Sequence, residues 1–295
     1  MLSGPYVEVE AKVSSKNIIT GLDQLDSEAQ SDVLACLNRL NKKFPGKNKA
    51  EVTLRKIPPQ HVGLGTKTAV LLGVIKAISM ARDIRLSQRS LQRLSGRGGT
   101  SGIGINIFFQ GGFLVDGGHE SGATQMFAPS SANSPRNVPP VICQAKIPSR
   151  WRFYLILPKG KRIAGKAELE FFRENTPIPK EEVLAALATV YHGVAPAVLT
   201  NNLPLLKTSL SKLHKVGFKK RELERQSEEV KGVVRAFDDV PKCAVGLSSM
   251  GPLVYIIADQ KNRTVVSTVG KTCEEYKANL LGVFRGRNRG FQVIQ

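Results

Sequence analysis

Three glycine-bearing segments carry the residue types that grip anions. The first is Pro59-Gln60-His61-Val62-Gly63-Leu64-Gly65-Thr66-Lys67-Thr68, which runs into an apolar stretch from Ala69 to Ala81. Gly63 and Gly65 let the backbone approach a ligand closely and adopt positive φ. A helix beginning here offers unpaired N–H groups and the positive end of its dipole. Thr66 and Thr68 add hydroxyl donors, and Lys67 adds a point charge. Together these residues describe a phosphate cradle. It is not a Walker A loop, because that loop needs glycine immediately before the lysine and Thr66 stands there. The alternative is a tight turn capping a core helix, with Thr66 or Thr68 as N-cap.

The second segment runs from Gly96 to His119 and contains Arg97, Thr100, Ser101, Gly102, Asp116 and His119. The Arg97 guanidinium can fork onto a phosphate or a carboxylate. Asp116 and Glu120 supply the oxygen ligands that suit Mg²⁺, and a solvated loop carboxylate is the competing reading. His119, between glycine and an acid, can shuttle protons or serve as a structural histidine. The third segment, Gly246-Leu247-Ser248-Ser249-Met250-Gly251-Pro252, places adjacent serines between glycines as a smaller anion nest.

Among the elements that must position these segments, Tyr6 to Val13 alternates apolar and polar residues as a half-buried strand. Asp26 to Lys42 has helical spacing, and Ala50 to Lys56 predicts another strand. Residues 87–95 predict a short helix. In the glycine-rich stretch 96–122, Ile103, Ile105, Ile107, Phe108, Phe109, Phe113, Leu114 and Val115 suggest buried strands between tight turns. Glu120 to Pro140 predicts a long surface loop. Trp151 to Leu157 predicts a strand, and the two prolines between Arg173 and Lys180 suggest a domain boundary. Beyond it, Glu181–Tyr191, Leu203–Lys215 and Arg221–Phe237 predict helices, while Leu253–Ala258 and Thr264–Val269 predict strands. Strand, glycine loop and buried helix in succession point to a layered α+β or α/β fold.

Composition narrows the field. With 295 residues and 41% hydrophobic content the chain can bury one large core or two modest ones. Its formal net charge of +19 attracts anions of every size, from phosphorylated metabolites to RNA. Cys36, Cys143, Cys243 and Cys273 are too scattered for a disulfide framework or a zinc site. The start lacks the pattern of a signal peptide, and Ala69–Ala81, taken as the longest apolar stretch, is too short to span a bilayer. These features lead to the expectation of a cytoplasmic protein with no membrane partner. No G-x-S-x-G surrounds Ser248, which argues against a serine hydrolase. The basic run Arg285–Arg289 suits RNA, but aromatic residues are only 6% and stacking surfaces are scarce.

The first segment resembles the P-x-x-x-G-L-G-S-S motif of the GHMP superfamily, and the third resembles its C-terminal glycine motif. Within it, Gly63–Thr68, Gly96–Gly104, Gly111–His119 and Gly246–Pro252 are most similar to the β-ribofuranosylaminobenzene 5′-phosphate synthases, over residues 5–290. The resemblance implies an α+β, two-domain GHMP-type fold. Residues 1–175 would form a ribosomal-protein-like N-terminal domain, and residues 176–295 a ferredoxin-like C-terminal domain. The family pattern opens with a further strand and loop that this chain is expected to lack. Such synthases join phosphoribosyl pyrophosphate to 4-hydroxybenzoate or 4-aminobenzoate, releasing pyrophosphate and CO₂ on the way to methanopterin-type carriers. A homodimer is implied, with Mg²⁺ as cofactor.

On that reading Gly63, Gly65, Thr66, Lys67 and Thr68 hold one phosphate, and Ser248, Ser249 and Gly251 another. Arg97, Ser101 and Gly102 contact substrate, with Arg97 orienting the acceptor carboxylate. Asp116 carries the metal, and His61 or His119 moves the proton. In GHMP kinases an aspartate follows the Ser-Gly pair. Here Ser101-Gly102 leads into Ile103-Gly104-Ile105-Asn106, with no carboxylate, as in the synthases. A kinase using ATP on a small alcohol and a basic RNA-binding protein remain the alternatives.

Overall fold

Ala29, Val33, Cys36 and Leu40 recur every three or four residues, so one side of a helix collects them, and they are buried on α1 (Ser27–Lys43). The computed structural model describes residues 1–46, 48–119, 128, 137–160, 162–163 and 165–294. Strands β1 (Glu8–Ser14), β2 (Ile18–Thr20) and β3 (Lys49–Lys56) form a sheet of order β1-β3-β2, with β1 antiparallel and β2 parallel to β3. Ala50, Val52 and Leu54 alternate inward along β3 and meet α1 and α2 (Thr66–Ala81). Helices α3 (Gln88–Ser95) and α4 (Ile103–Gln110) close the other sides of α2. That enclosure explains why α2 is apolar nearly all round: Val70, Leu71, Leu72, Val74, Ile75 and Ile78 are all buried. Truncating Leu72 to alanine removes about 2–5 kcal/mol of stability. The helix that presents the first glycine segment is therefore among the best-anchored elements of the chain.

A short antiparallel pair, β4 (Phe113–Asp116) and β5 (Val141–Ala145), leads to the second large sheet. Its strands are β6 (Trp151–Leu157), β7 (Cys243–Leu247), β8 (Val254–Asp259) and β9 (Asn279–Arg285), in the order β7-β8-β6-β9 and antiparallel throughout. Alternate residues serve opposite faces. Tyr154 and Ile156 pack with Val230, Val233, Val234 and Phe237 from and just beyond α10 (Glu228–Arg235), and with Val265 and Val269 of α11 (Arg263–Glu275). Trp151 and Phe153 pack with residues of α7 (Ala195–Leu199) and α8 (Leu203–Leu213). The remaining helices are α5 (Lys166–Asn175), α6 (Lys180–Thr189) and α9 (Gly217–Glu224). β6 precedes residue 175 in sequence yet pairs with β8 and β9, so this sheet draws on chain from both sides of the expected 175/176 division.

Several local expectations need correction. Residues 103–110 form α4 rather than a strand. Gly102 sits at its start and Gly111, with φ of 67°, at its end; the helix packs on α2, and Ile105 and Asn106 are buried. Thr264–Val269 belongs to α11, because Val265, Val269 and Thr272 share one helical face and the Asn262 side chain accepts from Val265 N–H at 3.2 Å. Arg221–Phe237 is broken into α9 and α10 at Ser227, whose extended backbone starts the second helix. Ala69–Ala81 is not the longest apolar stretch. Lys180–Leu199, a helix with a π turn at Val190–Val194, is long and apolar enough by composition to cross a bilayer. It packs against α8, with Val194, Ala197 and Val198 buried. Most of the expected loop from Glu120 to Pro140 lies outside the described residues.

Candidate active site

Gly65, at φ 69°, precedes the first turn of α2, and no side chain caps that turn. The Thr66 hydroxyl instead donates to the Pro59 carbonyl at 2.9 Å, closing the loop on itself and correcting its alternative assignment as N-cap. The first-turn N–H groups thus remain directed at the loop mouth, where an anion would sit.

The third segment lies directly against this loop. The Ser248 hydroxyl donates to the Gly63 carbonyl at 2.9 Å, and Leu253 N–H donates to the Val62 carbonyl at 3.3 Å. A Cβ on Gly63 would fall 2.0 Å from the Ser248 carbonyl oxygen, and one on Gly251 would fall 2.4 Å from the Gly63 nitrogen. Both glycines are thus required by backbone approaching backbone, and Gly63 also has φ of 97°. Val62, fully buried with Leu155 and Leu253, roots the junction in the second sheet. Ser249 adopts a left-handed φ of 53° in the same turn.

The second segment reaches the loop from the other side. Arg97 Nε donates to Thr68 Oγ1 at 3.3 Å, and a Cβ on Gly104 would lie 3.3 Å from Thr68 Cγ2. All three glycine segments therefore surround the start of α2. A cavity of about 450 Å³, lined in part by Arg89, Arg93 and Arg97, opens beside the second segment.

The charges at this junction are paired. Lys67 Nζ lies 2.8 Å from Glu28 Oε1 and 2.6 Å from Asp32 Oδ2, both on α1, and its side chain is only 12% exposed. His61, at φ 57°, places Nε2 2.9 Å from Asp26 Oδ2, while Asp26 Oδ1 accepts from Ala29 N–H at 2.9 Å as the N-cap of α1. Burial opposes ionisation of Asp26. The Ala29 N–H, the His61 hydrogen bond and the His61 and Lys67 charges outweigh it and hold the carboxyl below its usual range. Burial lowers the Arg97 guanidinium, against the attraction of Asp32, Glu168 and Glu28. Burial raises the Glu168 carboxyl above its usual range despite the charges of Arg97, His61 and Lys67. Glu168 stands in the first turn of α5, whose Phe171 and Phe172 pack on Met250 of the third segment.

Asp116 and His119 are used differently. Asp116 Oδ2 accepts from Ser101 Oγ at 3.1 Å and from Gly102 N–H at 2.8 Å, and Oδ1 accepts from Gly118 N–H at 3.1 Å. Its carboxylate thus fastens the second segment to β4. His119 Nε2 sits 2.8 Å from the Gly98 carbonyl oxygen. No hydrogen bond or ion pair joins either residue to the first loop among the described residues. Glu120, the expected second metal ligand, lies outside them. Among the described residues no group of three or more His, Cys, Asp or Glu is arranged to hold a metal ion. The basic tail is folded onto α4: Phe291 N–H donates to Phe108 O at 2.7 Å, and the Arg287 guanidinium donates to Gly290 O at 3.0 and 3.1 Å.

The sequence named the three glycine segments that meet at the start of α2, but not Asp26, Glu28, Asp32 and Glu168, whose charges stand beside them. Asp26 carried one usable signal, an acid immediately before a helical pattern. Glu28 and Asp32, four residues apart, share a helix face. Nothing local marks Glu168.

The fold is of the GHMP type. It matches homoserine kinase from Cytophaga hutchinsonii with a TM-score of 0.65 at 16% identity, covering 98% of this chain and 88% of that one. It also matches Streptococcus pneumoniae phosphomevalonate kinase, with a TM-score of 0.63 at 12% identity over 94% and 89% of the two chains. No family model matches the sequence. Curated relatives do, among them the β-ribofuranosylphenol 5′-phosphate synthases of Methanothermobacter thermautotrophicus and Archaeoglobus fulgidus, each 31% identical. The first alignment covers 92% of this chain and 82% of the relative, the second 99% and 90%. The synthase of Methanocaldococcus jannaschii is 39% identical over 69% of this chain and 62% of its own length. The chain belongs to the β-ribofuranosylphenol 5′-phosphate synthase family.

Proposed function

We propose that the protein transfers the phosphoribosyl group of phosphoribosyl pyrophosphate to 4-hydroxybenzoate, releasing pyrophosphate and CO₂ and forming β-ribofuranosylphenol 5′-phosphate. The observation that carries this reading is the direct contact of the first and third glycine segments at Gly63, Ser248 and Gly251, with the second segment against Thr68. Separate anion-binding turns around one helix start suit a substrate with phosphates at more than one position. The name of the relatives specifies a phenol, which favours the hydroxy acid over 4-aminobenzoate as acceptor. The same reading divides the chain near residues 175/176, with β6 carried from the first part into the sheet of the second.

In the reaction, pyrophosphate departure leaves positive charge on the anomeric carbon. The first-turn N–H groups of α2 and the Thr68 hydroxyl stabilise the departing anion, an electrostatic contribution fixed before the reaction begins. Lys67 has three N–H donors; Glu28 and Asp32 engage two and hold the ammonium at the helix start, leaving the third for phosphate. Ser249 and Gly251 offer backbone N–H groups to the second phosphate, with Ser248 holding the turn in place. The ring carbon bearing the carboxylate attacks the anomeric carbon, and rearomatisation expels CO₂. Arg97 orients that carboxylate by a forked contact. Asp116, whose oxygens here accept from Ser101, Gly102 and Gly118, would be the single side chain to hold Mg²⁺, and the ion would supply Lewis-acid neutralisation of pyrophosphate.

The test is incubation of the protein with phosphoribosyl pyrophosphate, Mg²⁺ and carboxyl-labelled 4-hydroxybenzoate. Labelled CO₂ released in step with pyrophosphate is expected. Turnover of labelled ATP on small alcohols, with no CO₂, would replace this function by the kinase reading.

A further inference from the structure

Two histidines stand within reach of the glycine segments, and their surroundings differ. His61 faces a carboxylate, Asp26 Oδ2, at 2.9 Å. His119 faces a neutral acceptor, the Gly98 carbonyl, at 2.8 Å. A carboxylate opposite one imidazole nitrogen fixes the tautomer and stabilises the imidazolium that forms when the other nitrogen takes a proton; a carbonyl fixes the tautomer but supplies much less of that stabilisation.

The setting of His61 adds to this. Its left-handed backbone is unusual outside glycine, and such conformations are kept where surrounding contacts over-determine them. The neighbouring Gln60 side chain accepts from Asp26 N–H at 3.4 Å and donates to the Gln24 carbonyl at 3.1 Å, so Gln60 and His61 both hold the turn before α1. The ring is 26% exposed, neither walled off nor loose in solvent. Asp26 itself is fixed by capping α1 with its other oxygen. Lys67 and Glu168 are the further charges acting on this pair.

We propose that Asp26 is a positioning residue that makes His61 the proton acceptor for the ring hydroxyl of the aromatic substrate. The inference rests on the function proposed above and assigns its proton transfer. With Asp26 accepting from Nε2–H, Nδ1 is the free base. It takes the hydroxyl proton as the ring carbon forms its bond to the anomeric carbon and pyrophosphate leaves with the electrons of the broken C–O bond. The bond to the carboxylate carbon then breaks, its electron pair restores the ring, CO₂ leaves, and the proton returns from Nδ1 to the phenolate oxygen. No other reactant is consumed.

The experiment compares 4-hydroxybenzoate with 3-fluoro-4-hydroxybenzoate, whose hydroxyl ionises more readily. Asp26→Asn keeps an oxygen to cap Ala29 N–H, but its amide donates toward Nε2 and imposes the wrong tautomer. We expect kcat with 4-hydroxybenzoate to fall roughly 10²–10⁴-fold, the range for lost general-base catalysis, with the KM for phosphoribosyl pyrophosphate nearly unchanged. With the fluorinated acceptor the deficit should shrink at least about tenfold. His61→Gln should show the same acceptor dependence, and it carries the test if Asp26→Asn fails to fold. His119→Gln should show none. A deficit equal for both acceptors would reduce Asp26 and His61 to scaffold and overturn the proposal; acceptor dependence in His119→Gln would transfer the role to His119. Wild-type protein that releases CO₂ from neither acceptor overturns the function itself, an outcome separate from failure of the pair.

Discussion

Asp26 and His61 meet at 2.9 Å across more than thirty residues of chain, whereas Asp116 and His119, three residues apart, each turn to backbone atoms instead. Both regions combine a glycine-bearing turn with an acid and a base, and by residue type they are equivalent. Their partners separate them. In the first region the side chains pair with one another and with α1, so charge is held at the mouth of the helix. In the second, the carboxylate is occupied by N–H and O–H donors of its own neighbourhood, and the imidazole by a carbonyl. Residue type thus states what chemistry is available, while long-range partners decide where it is spent.

The strongest way to break this contrast is to separate the loops that define the first region. Gly63→Ala would drive a methyl into the Ser248 carbonyl at a positive φ, and a loss of about 3 kcal/mol or more is expected together with loss of activity. Gly118→Ala, also at positive φ but with open space around it, should cost only about 1 kcal/mol. Urea unfolding of both variants measures the difference, and equal costs would mean that the loops do not need their close approach. Next in size, Lys67→Ala removes the charge directed at phosphate and leaves Glu28 and Asp32 facing the anion. Calorimetric titration should show phosphoribosyl pyrophosphate binding weakened by about 1.5–3 kcal/mol.

Asp116→Asn sharpens the second side of the contrast. One oxygen that accepts N–H and O–H donors is lost, and an unfolding cost of about 1–2 kcal/mol is expected even without substrate. A purely metal-binding Asp116 would show no such cost. Acid titration probes Asp26. Its folded carboxyl lies below 3.8, so its contribution to stability is present above that value and is lost as pH falls through the folded value. The stability difference between wild type and Asp26→Asn should therefore shrink in strong acid; a constant difference would deny the carboxylate its ionic role. Smallest of all, His119→Gln retains a donor for the Gly98 carbonyl and should shift stability by less than about 1 kcal/mol in the same unfolding assay.

Much of this was legible before the structure. The ends of α1, α2 and β3 follow from capping residues, glycines and periodicity that act over a few positions. β6 was readable as an apolar run, broken only by Arg152, because both its faces are covered. α4 and α11 were misread because β-branched and aromatic runs carry no decisive period over six residues; α4 is fixed by its flanking glycines and α11 by the Asn262 cap. The site divides in the same manner. Gly63, Gly65 and Gly251 announce themselves because a backbone requirement restricts the residue type. Glu28, Asp32 and Glu168 do not, since a carboxylate on a helix is compatible with any solvated face, and only the packing of α1 and α5 brings these to Lys67 and Arg97.

The central claim is that separate glycine turns act as one binding site at the start of α2. Amide hydrogen exchange with and without phosphoribosyl pyrophosphate and Mg²⁺ tests it most directly. The account predicts that residues 61–68, 97–104 and 246–251 gain protection together, at one ligand concentration. Protection confined to one of these turns, or appearing only along the basic tail at 285–291, would contradict it.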